Sequence, residues 1–434
     1  MNRFLKMAAI ASFVATINAT PVLFAQSIET GESEKAWTLE DCLEYGLANH
    51  PNIKTAESTL QIQKAGVMSA KAAYDFSVSG SVSLSASGSD RRSNSHEEGK
   101  NESLRLSKKI YDVKSNLQKK VADERLIAAE QDYISTVTEQ ADKIKAAYFK
   151  AQQKSAVLNV RIETLERYER HLKKVESFVE VGTYAPFDIT KAQVDVANAR
   201  VSLISARSDL KNALTAVAQT IGKEGSINLA PYTNTELPKY DVSNFEKLIE
   251  EAMNRPDIKA REANLRVADY NLEKAKKNLS PTVSASGGYS WRGANTPQNR
   301  GWETGLSVSI PIFDGRETKS QILSAKGSKK SSEASLENLK LSVYNELETA
   351  ITQFTDAVER YEANKILVKN ASESLELAEA RYNVGMGSII EFSDAQVDYA
   401  KARADLIVSY YDSLISAATI DMVLGRIPEE YKKN

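Results

Sequence analysis

The stretch Phe76–Ser87, FSVSGSVSLSAS, carries a serine at every second position, with apolar or small residues between the serines. Successive side chains of a β-strand point to opposite faces, so this alternation predicts a strand with one hydroxyl face and one apolar face. Its 12 residues, rising about 3.3 Å each at a tilt of about 45°, span roughly 28 Å, close to the hydrocarbon thickness of a membrane. The pattern fits the wall of a membrane β-barrel, although a serine-rich β fibre has the same alternation.

A second hairpin of this kind is predicted later in the chain. In the strand Trp302–Phe313, Thr304, Leu306 and Val308 share one face, and glutamate, glycine and serine residues share the other. Trp291 and Trp302 flank the loop of this hairpin, where a membrane barrel would carry its aromatic belt. Two tryptophans beside the loop of an ordinary hairpin are the alternative interpretation.

The first 25 residues have the features of a secretory signal peptide. Arg3 and Lys6 accompany the apolar run MAAIASFVATI, and LFA before Gln26 is a suitable cleavage site; a short buried helix is the alternative. The single cysteine, Cys42, lies in no lipidation motif, so we expect an exported chain with neither an acyl anchor nor an intramolecular disulfide. No later stretch holds 18 consecutive apolar residues, so any membrane span would be built from strands.

The composition argues against nucleic-acid binding and against enzymatic chemistry. The formal net charge is −2, and removal of Arg3 and Lys6 with the signal peptide takes it to −4. The three histidines, His50, His96 and His171, lie in no catalytic or metal-binding motif, and we interpret each as solvated or structural. We therefore expect no catalytic residue, no cofactor and no metal ligand.

The chain repeats one unit of about 200 residues. LEYGLANHPNIKTAE from Leu43 resembles LIEEAMNRPDIKARE from Leu248, and VGTYAPFDITKAQVDVANAR from Val181 resembles VGMGSIIEFSDAQVDYAKAR from Val384. The predicted organisation is a signal peptide (1–25); a first repeat (26–222) with helices in 38–74, strands 76–87 and 103–111, and helices 113–181 and 188–221; a connector or strap (223–243); a second repeat (244–425) with helices in 244–279, strands 282–291 and 302–313, and helices 315–383 and 389–424; and a tail (426–434).

Each repeat contains one very long predicted helix. Residues 113–181 hold no glycine or proline, and residues 316–383 hold only Gly327. A helix of this length is about 100 Å long at 1.5 Å per residue. Apolar residues recur at coiled-coil spacing, as from Val343 to Tyr361. These rods must pack against each other and against other copies of the chain.

Four strands cannot close a barrel, and an open edge in lipid leaves backbone groups unpaired at a cost of several kcal/mol each. Two copies give eight strands, whose interior is normally filled by side chains, whereas three copies give twelve strands and leave a channel. Small serine and glycine side chains on the inner face favour three copies. The predicted fold is therefore mostly α with membrane β: a trimeric 12-stranded β-barrel, four strands per chain, continued by a long α-helical coiled-coil barrel.

On the duplicated NHPNI and NRPDI starts, the segment SVSIPIFDGRETKS and the paired turns VGTYAPFD and VGMGSIIEFSDAQ, the chain resembles the TolC family. The first repeat departs from the pattern, with Lys109 and Val113 where the second has Pro311 and Gly315. The resemblance implies a homotrimeric outer-membrane channel-tunnel that exports small molecules or proteins, by efflux or by type I secretion. It implies contact with outer-membrane lipid and two partners, a periplasmic adaptor (membrane fusion) protein and an inner-membrane pump of RND or ABC type. A non-pore periplasmic or surface coiled-coil scaffold is the alternative.

The resemblance also assigns a gate at the periplasmic end. Glu391 and Asp394 match the family's acidic constriction, and six carboxylates from three copies would select cations and bind divalent ions, with a divalent cation blocking the channel at Asp394. Asp188 and Tyr382 match latch positions, whereas Gly387 stands where the family has a basic latch residue. Helix capping is the alternative for the acidic residues.

The turn tips of the two repeats are assigned, by the same resemblance, to contact with the adaptor. These residues are Val181 and Gly182 in the first repeat and Val384 and Gly385 in the second. A glycine there also lets the backbone reverse after a long helix, and this structural role is compatible with adaptor contact.

Overall fold

The computed structural model describes residues 36–88, 96–182, 184–233, 236–242, 244–293 and 299–426. The predicted signal peptide lies outside these residues, as do 427–434 of the predicted tail. The helices and strands in chain order are α1 (Leu39–Asn49), α2 (Pro51–Ala72), β1 (Ser77–Gly88), β2 (His96–Asp112), α3 (Val113–Glu180), α4 (Pro186–Thr220), α5 (Phe245–Ala252), α6 (Pro256–Lys276), β3 (Thr282–Gly293), β4 (Asn299–Ser309), α7 (Glu317–Asn383) and α8 (Ile389–Val423).

The four strands form one antiparallel sheet in the order β1-β2-β3-β4, which confirms the predicted small sheet in a mostly helical chain. β2 pairs with β3, so the sheet joins strands that are far apart in the sequence. The alternate serines lie on one face, where Ser77 bonds Ser107 at 2.6 Å and Ser81 bonds Ser103 at 2.7 Å. The apolar residues of β1 lie on the other face, and Val78 and Leu84 are 67% and 79% exposed.

The strand boundaries differ from the prediction by one or two residues in β1 and β3 and by more in β2 and β4. The strand predicted at 103–111 extends from His96 to Asp112, because backbone pairing with β1 continues through the polar run as far as Gly88 opposite His96 and needs no apolar side chain. The strand predicted at 302–313 runs from Asn299 to Ser309, and it ends two residues before Pro311, which has no N–H to donate to a ladder.

Helix starts also differ from the prediction. The helix predicted from residue 315 begins at Glu317, because Gly315 and Arg316 adopt the left-handed conformation, with φ of 61° and 85°. The helix predicted from residue 188 begins at Pro186, since proline suits the first turn, where its missing N–H costs nothing.

α3 packs against α2, α4, α6 and α8, and α7 packs against α6 and α8. The fully buried residues along α3 include Val137, Ile144 and Tyr148, and Val343 and Leu347 have the same role in α7. α8 contacts both long helices and is the most apolar of the described helices. Among the described helices, α8 alone is long and apolar enough to cross a membrane. Half of its most apolar 18-residue stretch is buried inside the protein, as in a core helix.

The start of the described chain is fixed to the segment predicted to be the connector (223–243). Trp37 forms a parallel bridge with Leu229, in which the Trp37 N–H donates to the Asn228 carbonyl at 2.8 Å. The Ala230 carbonyl accepts hydrogen bonds from the Tyr148 hydroxyl and the Gln152 amide of α3. The connector is therefore attached to the middle of the helical region.

Candidate functional site

The candidate site lies where the two helical hairpins, α3–α4 and α7–α8, reverse direction. Gly182 and Gly385 take positive φ values of 78° and 76°, which lets the chain turn immediately after each long helix. The neighbouring Val181 and Val384 are 74% and 70% exposed. All four predicted tip residues are thus at the described ends of the hairpins, and the two valines present apolar side chains to solvent.

The α7–α8 turn is closed by backbone hydrogen bonds. The Met386 and Gly387 N–H groups both donate to the Arg381 carbonyl, at 2.9 and 3.1 Å. A Cβ atom at Gly387 would lie 3.1 Å from Arg381 Cβ and 3.2 Å from the Tyr382 backbone nitrogen. A side chain at Gly387, such as the basic one that the family resemblance implies, would therefore crowd the backbone of this turn.

Tyr382, a predicted latch residue, is buried among aromatic rings. It stacks on Phe392 with ring centroids 5.6 Å apart and lies 4.9 Å from the ring of Tyr184. Its hydroxyl donates to Asp188 Oδ2 across 3.5 Å, which is long for such a bond. Burial and the nearby Asp188 carboxylate raise the pKa of Tyr382 above its ordinary value, so the hydroxyl keeps its proton. The two predicted latch residues are thus brought together between different hairpins.

His171 of α3 belongs to the same aromatic cluster. Its ring lies 4.7 Å from Phe392 and 5.7 Å from Tyr382, and its Nε2 atom is buried with no hydrogen-bond partner in the described part of the chain. Burial, and secondarily Lys174, lower the pKa of His171 to about 4. The imidazole is therefore neutral at neutral pH, and its protonation would place a charge among aromatic rings.

A largely buried polar bridge joins α4 to α8 beside this cluster. Lys191 Nζ lies 2.7 Å from Asp195 Oδ1 and donates to Ser393 Oγ at 2.9 Å, while the Ser393 hydroxyl donates to Asp195 Oδ2 at 2.8 Å. Asp195 and Ser393 are 8% and 2% exposed. Each group of this triad is hydrogen-bonded to the other two, which is the condition under which buried charge is tolerated.

A further link runs from α3 to the end of α7, where Lys174 Nζ donates to Asn383 Oδ1 at 2.6 Å. We call this set of contacts between the hairpins, close to their turns, the seam. Its residues are His171, Lys174, Tyr184, Asp188, Lys191, Asp195, Tyr382, Asn383, Phe392 and Ser393.

The predicted gate carboxylates lie beside the seam and outside it. Glu391 and Asp394 are exposed on the first turns of α8, whereas Phe392 and Ser393 between them are buried. The Glu391 N–H is capped by Ser388 Oγ at 3.1 Å, and Glu391 Oε1 lies 3.5 Å from Arg381 Nε. Among the described residues no group of three or more metal-binding side chains is found.

Sequence reasoning missed most of the seam. Lys191 and Asp195 look like an ordinary i, i+4 surface pair, and Ser393 looks like a helix serine next to two acidic residues. The one available signal was the alignment of the two repeats, in which Lys191 and Asp394 occupy equivalent positions and so differ in charge.

Comparisons with known proteins agree on one family. Residues 43–223 and 248–426 match the family described as Outer membrane efflux protein. The chain is similar to outer membrane protein TolC of Salmonella enteritidis, with 26% identity over 352 residues, 76% of this chain and 69% of the relative. It is also similar to outer membrane efflux protein BepC of Brucella suis, with 21% identity covering 94% of this chain and 90% of the relative. A crystal structure of CusC matches with a TM-score of 0.82 at 19% identity, covering 89% of this chain and 92% of that one.

Proposed function

The chain belongs to the outer membrane efflux protein family, and from this premise we propose that three copies form one export duct whose periplasmic end is held shut by the seam. As a member of this family it is an outer-membrane channel protein with a long periplasmic tunnel. The family consists of channel proteins rather than enzymes. The trimer, the gate and the partners are the parts of the proposal that go beyond family membership.

The observation that carries the proposal is the two-faced sheet with β1 and β4 as its outer strands. Its apolar face is exposed, including Val82 and Leu306 at 67% and 66%. Outer-membrane barrels are apolar toward lipid and polar toward the lumen, so the serine face would line a channel. Outer strands in lipid require pairing, and β4 of one chain joined to β1 of the next supplies it. Three chains close twelve strands around an open lumen.

Exposed apolar residues on the helices support the same assembly. Leu341, Ile366 and Leu377 of α7 are 62%, 64% and 66% exposed, and Val201 of α4 is 67% exposed. Such residues on long amphipathic helices are normally covered by neighbouring helices. Helices of adjacent copies would cover them in a closed helical cylinder.

We propose that Glu391 and Asp394 line the narrowest part of this cylinder. They lie on the exposed side of α8, away from the seam, where copies of the same helix would approach one another. Six carboxylates near one axis would attract cations and disfavour anions, and Asp394 is the proposed position of a divalent block. The ion pair with Arg381 would offset part of the Glu391 charge, so Asp394 would contribute more to selectivity.

We propose that the seam replaces the latch that Gly387 cannot supply. The Tyr382–Asp188 contact is long, whereas the Lys191–Asp195–Ser393 bridge is short, buried and complete. Opening by outward movement of the α7–α8 hairpin would separate Ser393 from both charged partners. The bridge would therefore supply much of the resistance to opening.

The exposed turn tips are the proposed contact for a periplasmic adaptor. Val181 and Val384 would enter apolar contacts with the ends of adaptor hairpins, and Gly182 and Gly385 keep the tips narrow. An inner-membrane pump of RND or ABC type would deliver the cargo through this adaptor. Small-molecule efflux and type I secretion both fit this arrangement.

Reconstitution into a planar bilayer tests the proposal. We expect the protein to form channels that prefer cations, and we expect the double variant Glu391→Gln/Asp394→Asn to lose most of that preference. Asp188→Asn and Tyr382→Phe should raise the resting conductance modestly, and no rise would remove these two residues from the latch. A protein that inserts no channel would instead favour the non-pore scaffold.

A further inference from the structure

The serine face of the sheet carries one ion pair near the middle of its strands. Arg105 of β2 and Glu303 of β4 are joined by a contact of 3.1 Å between Arg105 Nη2 and Glu303 Oε1. The two side chains are 61% and 73% exposed, so neither is held there by burial. The other charged side chains described on this face, Lys109, Asp112 and Arg292, lie toward the strand ends.

Gly288 of β3 lies between the two charged residues. In the strand register Arg105 is opposite Gly288, and Gly288 is opposite Glu303, so the pair spans two strand intervals. A Cβ atom on Gly288 would lie 3.3 Å from both Cγ and Oε1 of Glu303. The glutamate therefore crosses the sheet in contact with the backbone of Gly288, and the ion pair lies flat along the wall.

The position of this ion pair affects the width and the charge of the lumen in the proposed barrel. Twelve strands spaced about 4.8 Å apart and tilted by about 40° enclose a cylinder about 24 Å across between backbones. An extended arginine reaches about 7 Å from its Cα, so unpaired Arg105 side chains from three chains would project well into this lumen. Paired with Glu303 over Gly288, they stay at the wall and their charges cancel.

We propose that Arg105 and Glu303 form a charge-neutral ring in the barrel lumen that keeps this part of the duct open and indifferent to the sign of the cargo's charge. This inference rests on the proposed trimeric barrel and concerns a part of the duct distant from the acidic residues of α8. Selection by charge is then confined to Glu391 and Asp394 at the periplasmic end, and the barrel passes any cargo that these residues admit.

The test is a set of reversal-potential measurements on channels in planar bilayers under a salt gradient. Glu303→Gln leaves three unpaired arginines and should lower the cation-to-anion permeability ratio about sevenfold, because a lumen potential of about one kT per unit charge depletes cations and enriches anions by about 2.7-fold each. Arg105→Gln leaves three unpaired glutamates and should raise the ratio by a similar factor. The double variant Arg105→Gln/Glu303→Gln restores neutrality and should return the ratio to the wild-type value.

Two further observations make the test specific. The shifts of the single variants should shrink at 1 M salt, where the screening length falls to about 3 Å. Gly288→Ala should displace Glu303 from the wall and lower the single-channel conductance. Gly305→Ala is its matched control on the same face, because a Cβ there has nothing within 4 Å.

The outcomes separate this inference from the proposed function. If the wild-type protein forms channels and both single variants keep its permeability ratio, the proposed role of the ion pair is refuted and the proposed barrel is not affected. A double variant that differs from wild type as much as a single variant would show that the two charges do not offset each other, which also contradicts the neutral ring. A wild-type protein that forms no channel would overturn the barrel, and the lumen ring with it.

Discussion

Removal of the Ser393 hydroxyl is expected to weaken the closed state at the seam. Ser393 is 2% exposed, accepts a hydrogen bond from Lys191 at 2.9 Å and donates one to Asp195 at 2.8 Å. Ser393→Ala breaks both bonds between the hairpins but leaves Lys191 and Asp195, which lie on the same helix, paired with each other. The variant therefore removes the link without leaving a buried charge unpaired.

The size of this destabilisation follows from the type of hydrogen bond that is lost. Hydrogen bonds to charged groups contribute about 1.5–3 kcal/mol each, and because the Lys191–Asp195 pair survives, we expect a net loss of about 1.5–3 kcal/mol for both together. At 1.4 kcal/mol per tenfold change, the equilibrium between closed and separated hairpins shifts by a factor of about 10 to 150 in each chain.

Single-channel recording of the reconstituted protein measures this shift as the fraction of time spent in high-conductance states without any partner protein. Ser413→Ala is the matched control, because Ser413 is also fully buried on α8 but donates to the Tyr410 carbonyl of its own helix. We expect Ser393→Ala to raise the open fraction at least tenfold and Ser413→Ala to leave it near wild type. Equal behaviour of the two variants would refute the role of the bridge in closure.

Three other predictions concern acid sensitivity, thiol reactivity and stability. Burial lowers the pKa of His171 from 6.5 to about 4, so between these values the unfolded chain binds more protons, and the unfolding free energy falls as the pH drops through this window. Between pH 7 and pH 4 this protonation costs up to about 3 kcal/mol of unfolding free energy per chain. His171→Leu removes that cost, so its melting temperature should fall less over this pH range than that of the wild type. An equal fall in the two proteins would show that His171 is not the cause of the acid sensitivity. Cys42 is fully buried and its thiol pKa is raised to about 12, so a maleimide should label it only after unfolding; rapid labelling of the native protein would contradict this packing. Arg255 is 9% exposed and bonds Asp257 and Glu346 at 2.8 and 2.7 Å, so Arg255→Met should destabilise the protein by about 1–3 kcal/mol in denaturant unfolding, because it removes charged hydrogen bonds from carboxylates that water can partly solvate.

The parts of the fold with strong periodicity could be predicted from the sequence. The serine alternation of β1 indicated a two-faced strand, because the period of two has no other simple interpretation over twelve residues. The absence of proline and glycine throughout α3 indicated a helix of extreme length. Both features depend on local preference alone, so they can be recognised without tertiary information.

Features set by backbone pairing could not be predicted in the same way. The extension of β2 to His96 depends on its register with β1 and leaves no hydrophobic pattern. The register shift between Lys109 and Tyr111 depends on the pairing of β2 with β3. The delayed start of α7 depends on a left-handed Arg316, a conformation that a non-glycine residue seldom adopts.

The candidate site was predictable only where the family resemblance supplied it. Tyr382 and Asp188 were named from their matching positions, and they do face each other between the hairpins. Lys191, Asp195 and Ser393 are ordinary residue types at unremarkable spacing, and their importance lies in the packing of α4 against α8. Glu391 and Asp394 remain proposed gate residues.

The central claim is that the sheet of one chain is completed by the sheets of two others, so the most direct measurement is the number of chains in the purified particle. Light scattering of the full protein in mild detergent, with the detergent contribution subtracted, gives this number. We predict three chains per particle at all protein concentrations tested. A stable particle of one chain that stays soluble when the detergent is removed would contradict the account.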